Sequence, residues 1–311
     1  MTDEFVDHAL RVDDVEPGPS VVTIGSFDGV HRGHQTLVRR AVGAASERGV
    51  RSVAVTFEPH PSAVVRPGSE PPYLQTLEDR ITSLYVAGID RVLVLDFTPA
   101  LAGLEPHEFL ERVLVGRLAP LKVVVGTNFR FGHKAAGDVV VLAEGGEQHG
   151  YEVEAVTLLE LDGEPISSSA IRDRLADGDV AWPARALGRP YEVVGEVVAG
   201  EGRGRTIGVP TANVAPVDGL LVPANGVYAG HARLGERSWP CVTNVGTRPT
   251  FDGRDVTVEA HLLDVEEELY GQRLAVSFEH RLRGEQKFDG PDELVAQIRR
   301  DLDEARALLH T

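Results

Sequence analysis

The chain passes from a strand pattern to a helix pattern within Ile24-Gly25-Ser26-Phe27-Asp28-Gly29-Val30-His31-Arg32-Gly33-His34-Gln35. An apolar run stops at Gly25, and apolar residues at helical spacing begin just past Gly33. His31 and His34 are three residues apart, which puts both imidazoles on one face of a helix's first turn. Free backbone N–H groups and the positive end of the helix dipole lie there, so the turn suits a phosphate.

Two interpretations of this turn stay open from its residues alone. Two imidazoles aimed at one anion can stabilise charge that develops on a transferring phosphoryl or nucleotidyl group. The alternative is a tight turn with two surface histidines, because H-x-G-H is a short pattern. The strand before it and the helix after it favour the phosphate site.

Strands and helices alternate through the first half of the chain. Short runs rich in β-branched residues predict strands over 52–57, 91–95, 122–125 and 151–156, and periodic apolar residues predict helices that begin near Leu77 and Pro106. This alternation predicts an α/β domain with a parallel, doubly wound sheet, in which ligands bind at the carboxyl ends of the strands. Polar segments follow strand ends at 58–61 and 126–132, and three serines precede a short helix at 167–169.

The second half has a different character. Short strands follow one another over 191–198, 226–233, 239–245, 256–263 and 273–282, and one amphipathic helix follows Pro291. Such a pattern predicts a small antiparallel β-barrel with a C-terminal helix. We place the domain boundary near 184–186, which gives domains 1–183 and 184–311.

Composition excludes several classes of function. The net charge of −17 argues against a non-specific nucleic-acid binder. The single cysteine, Cys241, and the lack of a long apolar run predict a cytoplasmic protein with no membrane partner. We expect a monomer or weak homo-oligomer, although neither feature determines the oligomeric state. None of the three lysines precedes Ser or Thr, so a Walker A loop is absent, and Glu111 stands where a zinc protease needs a second histidine.

Several motifs in order resemble those of the bacterial bifunctional riboflavin kinase/FMN adenylyltransferases (FAD synthetases), members of the H-x-G-H nucleotidyltransferase superfamily. They are G-S-F-D-G-V-H-R-G-H-Q (25–35), F-E-P-H-P (57–61), G-T-N-F-R-F-G (126–132), I-S-S-S-A-I-R (166–172), G-R-G-R-T-I-G-V-P-T-A-N (202–213) and L-R-G-E-Q-K-F (282–288). The resemblance covers roughly residues 20–310. It implies a Rossmann-like nucleotidyltransferase domain followed by a β-barrel kinase domain.

For the first domain the resemblance implies an adenylyl-transfer site centred on His31 and His34. The residues that it implies for ATP or its phosphates are Gly25, Phe27, Asp28, Gly29, His31, His34, Ser167, Ser168, Ser169 and Arg172. Those implied for flavin are His60, Pro61, Asn128, Phe129 and Arg130. On spacing alone, His60 is better interpreted as a loop residue, and the serines fit an ordinary N-cap as well as a phosphate site. Many members carry Asp at position 128, so a metal or base role for Asn128 does not follow.

For the second domain the resemblance implies Glu259 as the catalytic base and Arg283 and Phe288 at the flavin. Gly204, Arg205 and Gly208 are implied for ATP. Thr211 and Asn213 offer a hydroxyl and an amide oxygen on one side of an extended chain, which suits Mg²⁺ shared with ATP phosphates. From the residues alone, a Thr/Asn turn and a paired structural glutamate remain the alternatives.

The function implied is bifunctional. The C-terminal domain would phosphorylate riboflavin with ATP and Mg²⁺, and the N-terminal domain would adenylylate FMN to FAD with release of pyrophosphate. Two rivals remain, a kinase whose first domain is inactive or retargeted, and a flavin-binding protein without turnover. The intact histidine pair and the retention of Glu259 with Thr211 and Asn213 count against them.

Overall fold

The chain divides into two compact units, Met1–Ser168 and Ser169–Thr311, called here the N-terminal and C-terminal units. The computed structural model describes residues 17–200, 209–250, 253–265 and 267–309. The division between Ser168 and Ser169 lies earlier in the chain than the domain boundary predicted near 184–186. The predicted boundary stays a prediction.

A five-stranded parallel sheet forms the centre of the N-terminal unit. Its strands are β1 (Ser20–Ile24), β2 (Arg51–Glu58), β3 (Arg91–Asp96), β4 (Pro120–Gly126) and β5 (Glu152–Val156). Their spatial order is β3-β2-β1-β4-β5, with every pairing parallel. The predicted parallel, doubly wound sheet is therefore confirmed. The order reverses between β1 and β4, so the carboxyl ends of these two strands frame the crevice in which such sheets bind ligands.

Helices cover both faces of this sheet. They are α1 (Arg32–Arg48), α2 (Pro61–Val65), α3 (Leu77–Val86), α4 (Pro99–Ala102), α5 (Pro106–Phe109), α6 (Gly116–Leu118) and α7 (Val139–His149). Val21 packs under α1 on one face, whereas Val22 and Ile24 pack against Leu110 and Leu114 on the other. A small hairpin, β6 (Glu160–Leu161) and β7 (Glu164–Pro165), follows β5.

The helix predicted from Pro106 to Leu118 is not uniform. Residues Leu110–Val115 between α5 and α6 are π-helical. The N–H of Gly116 bonds to the carbonyl of Glu111, and a Cβ at Gly116 would lie 2.8 Å from that oxygen. A glycine at this position therefore permits the wider turn, which apolar spacing does not reveal.

The C-terminal unit is a closed antiparallel barrel. Its strands are β8 (Tyr191–Val198), β9 (Ala212–Pro216), β10 (Gly226–Leu234), β11 (Arg237–Thr250), β12 (Gly253–Leu262), β13 (Arg273–Phe278) and β14 (His280–Arg283). β10 pairs with both β11 and β13, which closes six strands into a ring, and β14 pairs with β10. This confirms the predicted barrel.

Three helices complete the description: α8 (Ser168–Ala176), α9 (Ala181–Leu187) and the C-terminal α10 (Pro291–Leu309). α10 packs on β10 and β11 through Ala305, and it confirms the predicted final helix. No described helix combines the length and apolarity needed to cross a bilayer.

Pro183 lies in the first turn of α9, where its missing N–H is not needed. The strand β9 continues the extended chain predicted at Thr211 and Asn213. One local prediction is wrong in this half. The strand predicted over 273–282 is two strands separated at Glu279.

Candidate active sites

The turn between β1 and α1 has an unusual backbone. Phe27, Gly29 and Val30 have φ angles of 50°, 82° and 40°. A positive φ is rare for a β-branched residue such as Val30 and costs conformational energy. The side chains of Phe27 and Val30 are fully buried, and this packing holds the turn in place. Its carbonyl and N–H groups are thereby fixed at the carboxyl end of β1.

His31 and His34 lie together at the start of α1, as their spacing predicts. His31 is the N-cap, and its Nδ1 accepts a hydrogen bond of 3.3 Å from the His34 backbone N–H. Because Nδ1 accepts, the ring proton of a neutral His31 sits on Nε2. The two rings stack with centroids 3.6 Å apart and an interplanar angle of 16°.

His34 is held in its neutral form. Burial lowers the pKa of His34 well below its usual value, and the positive charge of a protonated His31 beside it would lower it further. Its Nδ1 is buried without a hydrogen-bond partner among the described residues. His34 therefore offers a neutral imidazole to a ligand at pH 7.

Gly33 is required by the stacked rings. A Cβ at this position would lie 3.0 Å from Cε1 and 3.1 Å from Nδ1 of His31. Any side chain here would push the His31 ring away. The glycine of the H-x-G-H pattern thus has a steric reason that can be read from this geometry.

Other residues predicted at this site support the turn. The buried carboxylate of Asp28 accepts hydrogen bonds from the backbone N–H groups of Leu74 (2.9 Å) and Gln75 (3.3 Å). Ser168 donates from Oγ to the Asp28 carbonyl oxygen at 2.9 Å. Ser168 thus lies at the turn with Gly25, Phe27 and Gly29. Ser167 is half-buried beside it in the chain, whereas Ser169 and the buried Arg172 belong to the C-terminal unit.

His60 and Pro61 follow β2. His60 caps α2 through Nδ1, which accepts from the Ser62 N–H at 3.2 Å and lies 2.6 Å from Ser62 Oγ. The backbone N–H of His60 donates to the Tyr73 hydroxyl at 3.1 Å. His60, like His31, therefore uses Nδ1 as a helix cap and carries its ring proton on Nε2.

The segment after β4 carries Asn128, Phe129 and Arg130. Phe129 stacks on the buried Phe131 with ring centroids 5.5 Å apart, and Asn128 is exposed. Arg130 pairs with Asp138 at 2.9 Å. Asp138 is the N-cap of α7, and hydrogen bonds from the Val141 N–H and then from Arg130 lower its pKa. Arg130 is thus engaged with a helix start.

A polar row crosses the outer face of the barrel in the C-terminal unit. Asn213 on β9 is opposite Glu259 on β12, which is opposite Asn244 on β11. Their chain neighbours Val214, Val258 and Ala260 are buried inside the barrel. Because side chains alternate along a strand, the row points outward. Sequence reasoning gave Asn244 no role, and only the register reveals it.

A cavity of about 670 Å³ lies on this outer face. Thr211, Glu259, Arg283 and Phe288, all predicted site residues, line it together with Asn244 and α10. A second cavity, of about 420 Å³, is lined by Val197, Ala212, Ala260, Tyr270 and also Thr211. Both volumes fall in the range of small-molecule sites. Thr211 therefore stands at the boundary of two ligand-sized cavities.

Asn213 lies beside Thr211 but outside the residues that line either cavity. Its amide covers Gly200, since a Cβ at Gly200 would collide with it. Gly204, Arg205 and Gly208, predicted for ATP, lie outside the described residues. Within 17–200, 209–250, 253–265 and 267–309, no cluster of three or more His, Cys, Asp or Glu could hold a metal ion.

Arg283 does not extend freely into the cavity. Its guanidinium forms a bidentate ion pair with Asp301 of α10, at 2.8 Å from Nη2 to Oδ2, and lies 5.7 Å from the ring centre of Phe288. Asp301 is only 3% exposed, and Gln297 donates to it at 2.7 Å. The pair joins α10 to the end of β14.

Comparisons with known proteins agree with both halves of this description. The family model described as FAD synthetase matches residues 13–170, and the model described as riboflavin kinase matches residues 187–309. Relatives named bifunctional riboflavin kinase/FMN adenylyltransferase share 41% identity in Pseudomonas fluorescens and 39% in Escherichia coli K12. These alignments cover 93% and 90% of this chain and 92% and 90% of the relatives.

One solved structure is similar over nearly the whole chain. It is a crystal structure titled macrolide-efflux protein from Streptococcus pneumoniae, with a TM-score of 0.88 and 31% sequence identity. The alignment covers 96% of this chain and 99% of that one.

Proposed function

The chain belongs to the family of bifunctional riboflavin kinase/FMN adenylyltransferases, and from that premise we propose which residues carry each of its two reactions. The enzyme phosphorylates riboflavin to FMN and adenylylates FMN to FAD, with ATP as the donor in both. The resemblance stated from the motifs is thereby confirmed. The two rival functions, a kinase whose first domain is inactive or retargeted and a flavin-binding protein without turnover, lose their support.

The adenylyl transfer is assigned to the turn between β1 and α1. A phosphate oxygen of FMN attacks the α-phosphorus of ATP, and pyrophosphate leaves. The N–H groups of His31 and His34 donate to the oxygens on which negative charge develops, next to the free N–H groups of the α1 start. The stacked, preformed pair is the observation that carries this assignment. Gly25, Gly29 and Ser168 keep the backbone of the turn open to the nucleotide.

On the flavin side, His60, Pro61, Asn128 and Phe129 follow β2 and β4. The Nε2–H of His60 would donate to the flavin, and Phe129 would offer it an aromatic face. The pairing of Arg130 with Asp138 favours a supporting role for this arginine over a direct flavin contact. Ser167, Ser169 and Arg172 remain proposed phosphate ligands.

The kinase reaction is assigned to the two cavities of the C-terminal unit. Riboflavin occupies the larger cavity beside Glu259, and ATP occupies the smaller one. The riboflavin hydroxyl attacks the γ-phosphorus, its proton passes to Glu259, and ADP leaves. The position of Thr211 on both cavities carries this assignment, because the phosphoryl group must pass from one to the other.

Thr211 at that boundary and Asn213 beside it fit Mg²⁺. Neutral oxygens of Thr211 and Asn213 suit an ion that keeps several waters and is bound chiefly by ATP phosphates. Bound there, Mg²⁺ would neutralise phosphate charge. The single cysteine and the use of ATP fit the proposed cytoplasmic location, and a monomer or weak homo-oligomer remains the proposed state.

Two substitutions test the assignments within one polypeptide. His31→Ala should abolish FAD formation and leave FMN formation within about threefold, because the two reactions use different units. Glu259→Gln should slow riboflavin phosphorylation by roughly 10²–10⁴-fold and still convert supplied FMN to FAD. His149→Ala, at the exposed end of α7, and Glu196→Gln, on the exposed side of β8, are the matched controls. Loss of both activities in either test variant would contradict the division.

A further inference from the structure

A buried arginine lies beneath the adenylyl-transfer turn and belongs to none of the motifs. Arg80, on α3, is 1% exposed. A charged side chain at this depth must be paired and hydrogen-bonded to be tolerated. The groups that accept hydrogen bonds from Arg80 therefore identify the segments that this side chain holds together.

The acceptors come from two segments that each lead into a proposed ligand site. Nη1 of Arg80 donates to the carbonyl oxygens of Ser26 at 2.9 Å and Phe57 at 3.2 Å, and Nη2 donates to the Glu58 carboxylate at 2.6 Å. Ser26 begins the turn that leads to His31. Phe57 and Glu58 end β2, directly before His60.

A second link continues from Glu58 to the flavin side. The Tyr73 hydroxyl donates to Glu58 Oε1 at 3.4 Å and accepts from the His60 backbone N–H at 3.1 Å. Burial raises the pKa of Tyr73, so its hydroxyl keeps the proton that it donates. Asp28 anchors the neighbouring N–H groups of Leu74 and Gln75 to the same turn. The network is continuous from Ser26 to His60.

We propose that Arg80 is a positioning residue for adenylyl transfer, which fixes the distance between the nucleotide turn at Ser26–His31 and the flavin segment at His60. The planar guanidinium reaches the two strand ends at once, and a point charge such as that of lysine cannot satisfy both in a fixed geometry. In-line transfer requires both substrates in one alignment. This inference rests on the proposed location of the adenylyl-transfer site.

The test compares Arg80→Lys with Arg112→Lys. Arg112 is an exposed arginine of the same unit, paired with Glu108 at 3.2 Å. Arg80→Lys should lower kcat for FAD formation about tenfold or more and raise KM for both ATP and FMN at least fivefold. Riboflavin phosphorylation by the same preparation should stay within twofold, and Arg112→Lys should match the wild type in every constant.

A purely structural role would give a different result. It would reduce the fraction of folded enzyme, which lowers the apparent kcat but leaves both KM values unchanged, and this would overturn the proposal. Amide hydrogen exchange of β1, β2 and β4 reports that fraction directly. Tyr73→Phe gives a second test that keeps the buried charge pair, and it should raise KM for FMN with KM for ATP unchanged. Equal KM values in wild type and Tyr73→Phe would remove the link to His60.

His31→Ala separates this inference from the assignment on which it rests. If His31→Ala still forms FAD, the location of the site is wrong, and the role of Arg80 is wrong with it. If His31→Ala is inactive while Arg80→Lys has wild-type constants, only the role of Arg80 is wrong.

Discussion

Gly33→Ala should separate stability from activity in the N-terminal unit. The new Cβ would lie 3.0 Å from Cε1 of His31, whereas carbon atoms prefer about 3.5–4.0 Å, so the ring must move by roughly 0.5 Å. A misplacement of 1 Å can cost about 10²-fold in rate, which suggests a loss near tenfold for half that shift. Alanine is also the better helix former, so the unfolding free energy should fall little or not at all.

Gly43→Ala is the matched control in the same helix. Gly43 is exposed, and a Cβ there would meet nothing within 4 Å. This variant should gain about 0.5–1 kcal/mol of stability and keep full activity. The assay supplies FMN and ATP and separates FAD by chromatography, with thermal melting of the same samples. A folded Gly33→Ala enzyme that forms FAD at the wild-type rate would refute the need for stacked histidines.

Three further outcomes are expected. Asp301→Ala leaves Arg283 without its buried partner and should destabilise the C-terminal unit by about 3–5 kcal/mol in denaturant melts. Arg306→Gln breaks the exposed pair with Asp264 and should cost under about 1 kcal/mol. The folded pKa of His34 lies below its unfolded value near 6.5, so at pH values between the two the unfolded chain binds more protons than the folded chain. Unfolding titrations should therefore show the stability of the N-terminal unit falling as pH drops below about 6.5, and falling less in His34→Gln. A fragment of residues 169–311 should melt higher than one of 184–311, because Leu175 and Asp177 accept hydrogen bonds from Ala224 and Arg281; equal melting temperatures would contradict this.

Local signals account for what the sequence predicted correctly. The strand, turn and helix around His31 and His34 lie within one short segment, so spacing alone brings the two rings together. Both sheets were predicted because strands of this length, alternating with helices or following one another, leave few arrangements. The motif residues Thr211, Glu259, Arg283 and Phe288 do share one cavity.

Long-range pairing between distant residues accounts for what was missed. The bonds of Arg80 reach residues 22 to 54 positions away, and nothing in the local pattern around Thr76–Leu84 distinguishes it from a surface arginine. Asn244 lies opposite Glu259 only because β11 and β12 pair in this register. The ion pair that holds Arg283 depends on Asp301, 18 positions later, so its orientation could not be predicted from the motif.

The outward polar row of Asn213, Glu259 and Asn244 also links kinase activity to the strand register of the barrel. Residues alternate between the inside and outside of the barrel, so a shift of β12 by one position against β9 and β11 would turn Glu259 inward and Val258 outward. A molecule with that error would bury a carboxylate and, with it, lose the base proposed for the kinase reaction. The rate of riboflavin phosphorylation therefore measures the fraction of barrels with the correct strand register, also after refolding. A signal that reports only strand content would not distinguish the correct register from the shifted one.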